Sequence, residues 1–221
     1  MEYLIIILII SLPLISQLYI SITYNKTSNI EFNKETTGYD IARKILDKNG
    51  LNNILVVETK GTLTDHYDPT RKVIKLSSDI YHGNSIASAS VASHEVGHAI
   101  QDKEGYTFLK IRHAIFPVVS FLDRISYIVI VLGFILEYMN LVYFGIFAVG
   151  MGVLFQIITL PVEINASKRA IQELKELNLT TPRTESLSKE MLTAAALTYV
   201  ANTLAEILQL IRLIGLTRDS D

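Results

Sequence analysis

Apolar residues follow one another almost without charge in three stretches, each about as long as a membrane span. No charged residue occurs in the stretches Tyr3 to Ile22 and Leu141 to Leu160. The stretch Ala114 to Leu136 contains two charged residues, Asp123 and Arg124. A helix crosses a bilayer with about 20 mostly apolar residues, so the pattern predicts three transmembrane helices. The first stretch lacks a basic start and a small-residue cleavage site, so we expect a retained anchor rather than a signal peptide.

The second and third spans form a tight helical hairpin, because only residues 137–140 separate them. An acid–base pair inside a membrane is costly, so either the second span begins nearer Ile125 or Asp123 and Arg124 face protein. The hairpin puts residues 23–113 and the residues after 160 on one side of the membrane. That side carries the lysines and arginines, so the positive-inside rule predicts that it is cytoplasmic and that the N-terminus lies outside. We expect a multi-pass protein of the cell membrane.

Between the first two spans, helical and strand patterns alternate. After a polar linker over residues 25–35, Thr37 and Asp40 resemble a capping box, and the apolar helical spacing that follows ends at Asn49-Gly50. A β-branched run over 53–58, a turn-like segment over 65–70 and a second run over 72–76 predict a hairpin or meander. This segment can supply an edge strand to which an extended peptide adds as another strand; a plain surface hairpin is the alternative.

The C-terminal segment over 191–216 is helical by propensity. As a fourth span it would carry Glu206 and Arg212 into the membrane. We therefore favour a helix that packs on the hairpin or lies at the membrane interface.

Charge and cysteine content exclude several kinds of function. The net charge of −2 and the lack of a basic aromatic patch argue against nucleic acid as a partner. The chain has no cysteine, which excludes disulfides and thiolate metal sites.

The motif HEVGH lies in a segment that reads as a helix from Asn84 or Ser85 to Gly105. His94 and His98 are one turn apart on the same face of that helix, where both imidazoles can bind one Zn²⁺. Glu95 is then placed to take a proton from the water that the metal activates. Gly97 weakens the helix by about 1 kcal/mol relative to alanine, which favours the close approach of another backbone; a merely tolerated glycine is the alternative.

A catalytic zinc site needs a third protein ligand. His66, His82, His113 and the downstream carboxylates are candidates on residue type alone. Glu163 is the best placed, since Pro161 ends the third span and Glu163 opens the next helix on the catalytic side. A glutamate at a helix N-terminus, favoured by the helix dipole, is the alternative explanation.

Three further side chains are candidates for the stabilisation of an oxyanion. His66 and Tyr67 lie in the polar cluster Asp65 to Asp68, within the predicted hairpin that precedes the metal helix, and Tyr199 lies in the C-terminal helix. The aspartates of the cluster can instead cap a turn, and Tyr199 can be an ordinary core residue.

Three motifs in order resemble the YugP-like family of bacterial membrane zinc metallopeptidases: LTDHYDP with KVIKLS, HEVGHAIQ and LPVEINASKRA. The resemblance extends from TGYDIARKILDKNG to AALTYVANTLAEILQLIRLI. It implies a single zinc held by His94, His98 and Glu163, with Glu95 as the base, as in gluzincin-like peptidases. The glutamate motif is also similar to the third-ligand motif of HtpX-type membrane proteases.

The chain departs from these relatives at two positions. The HtpX-type motif has an acidic residue where this chain has Ser167, and members of the closer family often have aspartate where Asn165 stands. Asn165 and Ser167 can orient a metal-binding histidine through hydrogen bonds, but they add no negative charge.

We therefore expect a mostly α-helical integral membrane protein with a small α+β zincin-like catalytic domain. Its parts are an anchor over 1–22, a cytoplasmic part over 23–113, a transmembrane hairpin over 114–160, and the third-ligand and C-terminal helices over 161–221. The expected activity is zinc-dependent cleavage of peptides or membrane-protein segments, with the lipid bilayer as the other partner. A non-catalytic zinc-containing scaffold and a zinc hydrolase of a non-peptide bond are the alternatives.

Overall fold

The computed structural model describes residues 2–218, so Met1 and residues 219–221, the ends of the first and last predicted segments, lie outside it. Over the described residues the chain is mostly helical. In order, its elements are α1 (Glu2–Ser28), α2 (Gly38–Lys48), β1 (Leu55–Thr59), β2 (His66–Asp68), β3 (Val73–Ser77), α3 (Ser78–Tyr81), α4 (Ile86–Glu104), α5 (Thr107–Ile135), α6 (Met139–Glu176) and α7 (Pro182–Arg218).

The chain divides into two compact units, each built from separated segments. The sheet unit consists of Leu18–Tyr106 and Val162–Ala196. The span unit consists of residues 2–17, Thr107–Pro161 and residues 197–218. Three long helices, α1, α6 and α7, contribute residues to both units.

Local signals set the ends of the helices in the sheet unit. The side chain of Ser85 accepts a hydrogen bond from the Ser88 amide at the start of α4, and Gly105 ends it in the left-handed conformation that favours glycine. The capping box of Thr37 and Asp40 is present at the start of α2. These boundaries confirm the sequence predictions.

The sheet differs from the hairpin or meander expected from sequence. Its order is β1-β3-β2, with β1 parallel to β3 and β2 antiparallel to it. Strand β2 occupies the segment that was predicted as a turn, and it forms one edge of the sheet. The linker prediction was wrong at its start as well, because α1 continues to Ser28.

One apolar core joins the elements of the sheet unit. It draws side chains from α2, β3, α3, α4 and the later half of α6, among them Ile45, Ile74, Ile80, Val96 and Leu174. Because α4 contributes to this core along its length, its position relative to the sheet and α6 is determined by burial of apolar surface.

Helix α6 does not end at the third span. It continues through Pro161 to Glu176, so Glu163 lies inside a helix and does not open a new one. A proline removes one backbone hydrogen bond without ending the helix where the surroundings satisfy the freed groups. Glu163 is therefore not at a helix N-terminus, and the alternative that the helix dipole favours a glutamate there is wrong.

In the span unit, α5 and α6 form the predicted hairpin. A Cβ on Gly133 would lie 2.8 Å from the Val142 nitrogen, and one on Gly145 would lie 2.9 Å from the Ser126 oxygen, so glycines allow the two backbones to meet. Asp123 and Arg124 are exposed and do not face protein, which leaves the alternative that the span begins nearer Ile125.

Helix α7 packs on this hairpin, with Leu210 and Leu213 against Ile130, Val142 and Val149. Among the described residues, four helices are long and apolar enough to cross a membrane: α1, α5, α6 and α7. The packing agrees with the expectation for the C-terminal helix, and its length and composition also fit the fourth span that the sequence favoured less.

At Gly97, α4 lies close to the backbone of α6. A Cβ there would lie 2.6 Å from the backbone oxygen of Ala166. Any side chain would push α6 away, so the sequence inference of a neighbouring backbone is confirmed. This contact sets the distance between the histidine face of α4 and Glu163, which precedes Ala166 by less than one turn.

We predict that Gly97→Ala destabilises the sheet unit and lowers its metal content. Overpacking costs about 1–3 kcal/mol and outweighs the helix-propensity gain of about 1 kcal/mol. Thermal unfolding in detergent and elemental analysis measure both effects. The control is Gly152→Ala, where a Cβ meets nothing within 4 Å. Equal stability and metal content in both variants would contradict the α4–α6 contact.

Candidate metal centre

Three side chains from α4 and α6 converge in the sheet unit. The Nε2 atom of His94 lies 3.2 Å from Oε2 of Glu163, and Nε2 of His98 lies 3.6 Å from the same oxygen. Among the described residues, His94, His98 and Glu163 form the group of potential ligands whose atoms all lie within 4.8 Å of one another. His98 and Glu163 are buried and His94 is partly buried.

These distances suit a shared zinc ion. Bonds of 2.0–2.2 Å in a tetrahedron keep the ligand atoms roughly 3.3–3.6 Å apart. Two imidazole nitrogens and one carboxylate oxygen are also the donor types that catalytic zinc sites use. The residues therefore fit the ion, with a fourth position left for a non-protein ligand.

The ring nitrogen of His98 that faces away from Glu163 has a buried partner. Its Nδ1 lies 3.0 Å from Oε1 of Gln101, which is fully buried. The amide nitrogen of Gln101 donates to the Val162 carbonyl at 2.8 Å and to Oδ1 of Asn165 at 2.9 Å. Gln101 thus accepts the Nδ1 proton and leaves Nε2 of His98 free of hydrogen, as metal binding requires.

Asn165 reaches the histidine through Gln101. Its Oδ1 also accepts a hydrogen bond of 2.7 Å from Nε of Arg169, whose guanidinium pairs with Glu104 at 2.6 Å. Asn165 is therefore one link in a row of hydrogen bonds between α4 and α6. Gln101 was missed in the sequence, although a residue three positions after His98 lies on the same helix face.

Ser167 performs the corresponding task for His94. Its hydroxyl lies 3.2 Å from Nδ1 of His94 and can accept the proton of that nitrogen. Both ring nitrogens that face away from Glu163 therefore have a hydrogen-bond partner. The contact is neutral and adds no negative charge to the imidazole.

Glu95 follows His94 on α4 and is buried. Burial raises the pKa of its carboxyl to about 7, with the charges of Glu163 and Asp65 adding to the rise and His94 opposing it. The backbone amide of Tyr67 donates to the carboxylate and so favours its charged form. A carboxyl that exchanges a proton near neutral pH is suited to general base and acid work.

The Asp65–Asp68 cluster lies beside α4, and its side chains have structural partners. The phenol of Tyr67 donates to Oδ2 of Asp102 at 2.7 Å, and burial raises its pKa above the ordinary value. His66 is exposed, with Nδ1 2.8 Å from the Thr64 carbonyl. Asp65 accepts from the Ser77 amide at 2.7 Å and caps the loop before β2. The oxyanion role of His66 or Tyr67 stays a prediction.

The other histidines and Tyr199 lie outside the ligand group. His82 lies 3.3 Å from Glu58, and His113 belongs to α5 in the span unit. Tyr199 belongs to α7 in the span unit, where its carbonyl accepts a hydrogen bond of 2.7 Å from Thr203. The oxyanion role of Tyr199 also stays a prediction.

A family model described as "putative neutral zinc metallopeptidase" matches residues 2–218. The chain belongs to this family. It is 45% identical over 199 residues to the "putative membrane protease YugP" of Bacillus subtilis (strain 168). The aligned residues cover 90% of this chain and 88% of the relative. No solved structure matches the chain. The family resemblance seen in the sequence motifs is thereby confirmed.

We predict that Glu163→Ala removes most of the metal from the purified protein, because two imidazoles alone bind zinc weakly. The zinc content measured by elemental analysis should fall from about one zinc per chain to a small fraction of that. Glu173→Ala on the same helix removes a surface partner of Lys48 and is the control. A full zinc equivalent in Glu163→Ala would remove Glu163 from the ligand set.

We also predict that Gln101→Ala weakens zinc binding about 10–100-fold, since Nδ1 of His98 loses the acceptor that orients the ring. Competition with a zinc chelator measures the affinity. The control is Gln172→Ala, whose amide bonds only to the exposed Glu176. The same affinity in both variants would show that Gln101 does not support the metal centre.

Proposed function

We propose that the protein is a membrane-bound, zinc-dependent endopeptidase that hydrolyses peptide bonds near the cytoplasmic membrane face. The observation that carries the proposal is the convergence of His94, His98 and Glu163 beside the buried Glu95. A structural zinc site uses four protein ligands and has no use for a base, whereas this site offers three ligands and a carboxylate next to them. This arrangement favours catalysis over a zinc-containing scaffold.

His94, His98 and Glu163 would hold the ion. When bound, zinc lowers the pKa of a water molecule towards neutrality and polarises a carbonyl oxygen. Glu95 accepts a proton from the attacking water at its carboxylate and delivers it to the leaving amide nitrogen. Burial raises the pKa of the Glu95 carboxyl above that of an ordinary glutamate, which favours acceptance of a proton.

Gln101 keeps His98 in the tautomer that presents Nε2 to Glu163, and Ser167 can accept the Nδ1 proton of His94 in the same tautomer. Because these partners are themselves held between α4 and α6, the ligand set is preorganised rather than assembled by the metal.

Strand β2 is the proposed binding edge for the substrate backbone. It has β3 on one side only, and its Tyr67 amide is directed at Glu95, so its outer edge borders the base. An extended peptide that adds along this edge would pass close to the catalytic carboxylate. The phenol of Tyr67, bonded to Asp102, holds the strand on α4.

The cytoplasmic orientation rests on charge. Lys103, Lys110 and Arg112 precede the second span and Lys168 and Arg169 follow the third, while residues 137–140 have no lysine or arginine. The absence of native cysteine makes labelling a direct test. In intact cells, a membrane-impermeant maleimide should label Asn140→Cys, while Lys60→Cys should react only after permeabilisation. The reverse pattern would place the metal centre outside.

The proposed mechanism predicts that Glu95→Gln retains its fold and zinc but loses hydrolysis. An amide cannot accept the proton, and general-base catalysis is typically worth about 10²–10⁴ in rate. Cleavage of a peptide library and elemental analysis of the same preparation separate the two properties.

The control for that experiment is Glu104→Gln, an exposed α4 glutamate whose partner is Arg169. It should cleave like the wild type. Unchanged turnover in zinc-loaded Glu95→Gln would contradict the peptidase mechanism. Absence of cleavage by the zinc-loaded wild type, with intact fold, would favour the scaffold.

A further inference from the structure

A row of hydrogen bonds between α4 and α6 leads from the partly exposed Arg169 to the buried His98. Val162, Asn165 and Arg169 repeat at three- and four-residue spacing, so they share the face of α6 that is turned towards Gln101 of α4. From Arg169 through Asn165 and Gln101 to His98, the contacts measure 2.7, 2.9 and 3.0 Å. We call these four side chains the Arg169–His98 row.

Arg169 is the member of the row that can only donate hydrogen bonds. A guanidinium has five N–H donors and no acceptor, and it stays protonated in proteins. Its Nε donates to the carboxamide oxygen of Asn165, so the oxygen rather than the amide nitrogen faces Arg169. With the carboxamide turned over, two donors would face each other. Arg169 therefore determines which end of Asn165 points into the row.

The same direction continues through Gln101. Its amide nitrogen donates one hydrogen to the Asn165 oxygen at 2.9 Å and the other to the Val162 carbonyl at 2.8 Å. The carboxamide oxygen of Gln101 is then the atom that faces Nδ1 of His98 at 3.0 Å. Because that oxygen only accepts, Nδ1 carries the proton and Nε2 is left as the metal-binding atom.

Burial of Gln101 makes a reversal of the row costly. The side chain is fully buried, so bulk water does not replace a lost partner. If Asn165 turned its nitrogen towards Gln101, one buried N–H would have no acceptor, which costs free energy. A turned Gln101 would donate to Nδ1 of His98, and the proton of the neutral imidazole would then be on Nε2. That tautomer cannot bind a metal ion through Nε2.

The other imidazole has a partner of a different kind. The hydroxyl of Ser167 lies 3.2 Å from Nδ1 of His94 and can either donate or accept. Ser167 therefore adapts to both tautomers of His94. Of the two imidazoles, His98 is the one whose hydrogen-bond direction is traced back to a group that cannot accept.

We propose that Arg169 is a positioning residue of the metal centre: it sets the direction of the Arg169–His98 row and so holds His98 in its metal-binding tautomer. The ion pair with Glu104 uses another nitrogen of the guanidinium and is not needed for this direction. Arg169 has no acceptor atom with or without that pair. The proposal rests on zinc binding by the metal centre and not on hydrolysis.

The zinc affinity of the purified full-length protein, measured by competition with a chelator, tests the proposal. Arg169→Met removes the donor and should weaken zinc binding about threefold to tenfold, less than the roughly 10–100-fold typical for a direct partner of the histidine. Arg169→Lys keeps a side chain that only donates and should stay within about twofold of the wild type. The control is Lys168→Met, which removes the same charge from an exposed position on α6 and should bind zinc like the wild type.

The variant Asn165→Asp separates direction from simple support. Both of its side-chain oxygens accept, so neither orientation presents a donor to Gln101. Adding Arg169→Met to Asn165→Asp should therefore not weaken zinc binding further. If Arg169 merely tied α6 to α4, its loss would weaken zinc binding equally with either residue at position 165. Thermal unfolding in detergent checks the fold of each variant, and Arg169→Gln, which stays polar, replaces Arg169→Met if the latter does not fold.

Three results would overturn the proposal: wild-type zinc affinity in Arg169→Met, an equal loss in Lys168→Met, or an equal loss on Arg169→Met with and without Asn165→Asp. A correctly folded wild type that binds no zinc would overturn the metal centre together with the role of Arg169. Since the measurement involves no hydrolysis, its outcome does not depend on the proposed peptidase activity.

Discussion

Helices α4 and α6 pack with their backbones in direct contact at one point. Gly97 lies against the Ala166 carbonyl, where even one Cβ would lie within 2.6 Å of the oxygen. The ligand atoms depend on this approach, because His94 and His98 belong to one helix and Glu163 to the other. The rows of hydrogen bonds through Gln101 and Ser167 cross the same interface, so the contact determines both the metal distance and the orientation of the imidazoles.

A single helix links the membrane to the proposed chemistry. Helix α6 carries the third apolar span, Glu163 and the Ser167 support in one uninterrupted element from Met139 to Glu176.

Features encoded by local sequence were predicted well. The helix ends at Thr37, Ser85 and Gly105 are determined by residues within one turn of each end. The long apolar helices were recognised because their length matches the thickness of a bilayer. The parallel pairing of β1 with β3 was missed because strand order depends on contacts between distant segments, and a three-residue strand such as β2 leaves little periodic signal. The passage of α6 through Pro161 was missed because proline usually marks a boundary, and Gln101 was missed because the HEVGH motif ends before it.

We infer that His94, His98 and Glu163 bind one zinc ion. X-ray absorption at the zinc edge of the purified protein measures that shell directly. We expect two imidazole nitrogens and one carboxylate oxygen at about 2.0–2.2 Å with one further light atom, and a changed shell or no zinc in Glu163→Ala. A shell without imidazole scattering, or an identical spectrum for the wild type and Glu163→Ala, would contradict it.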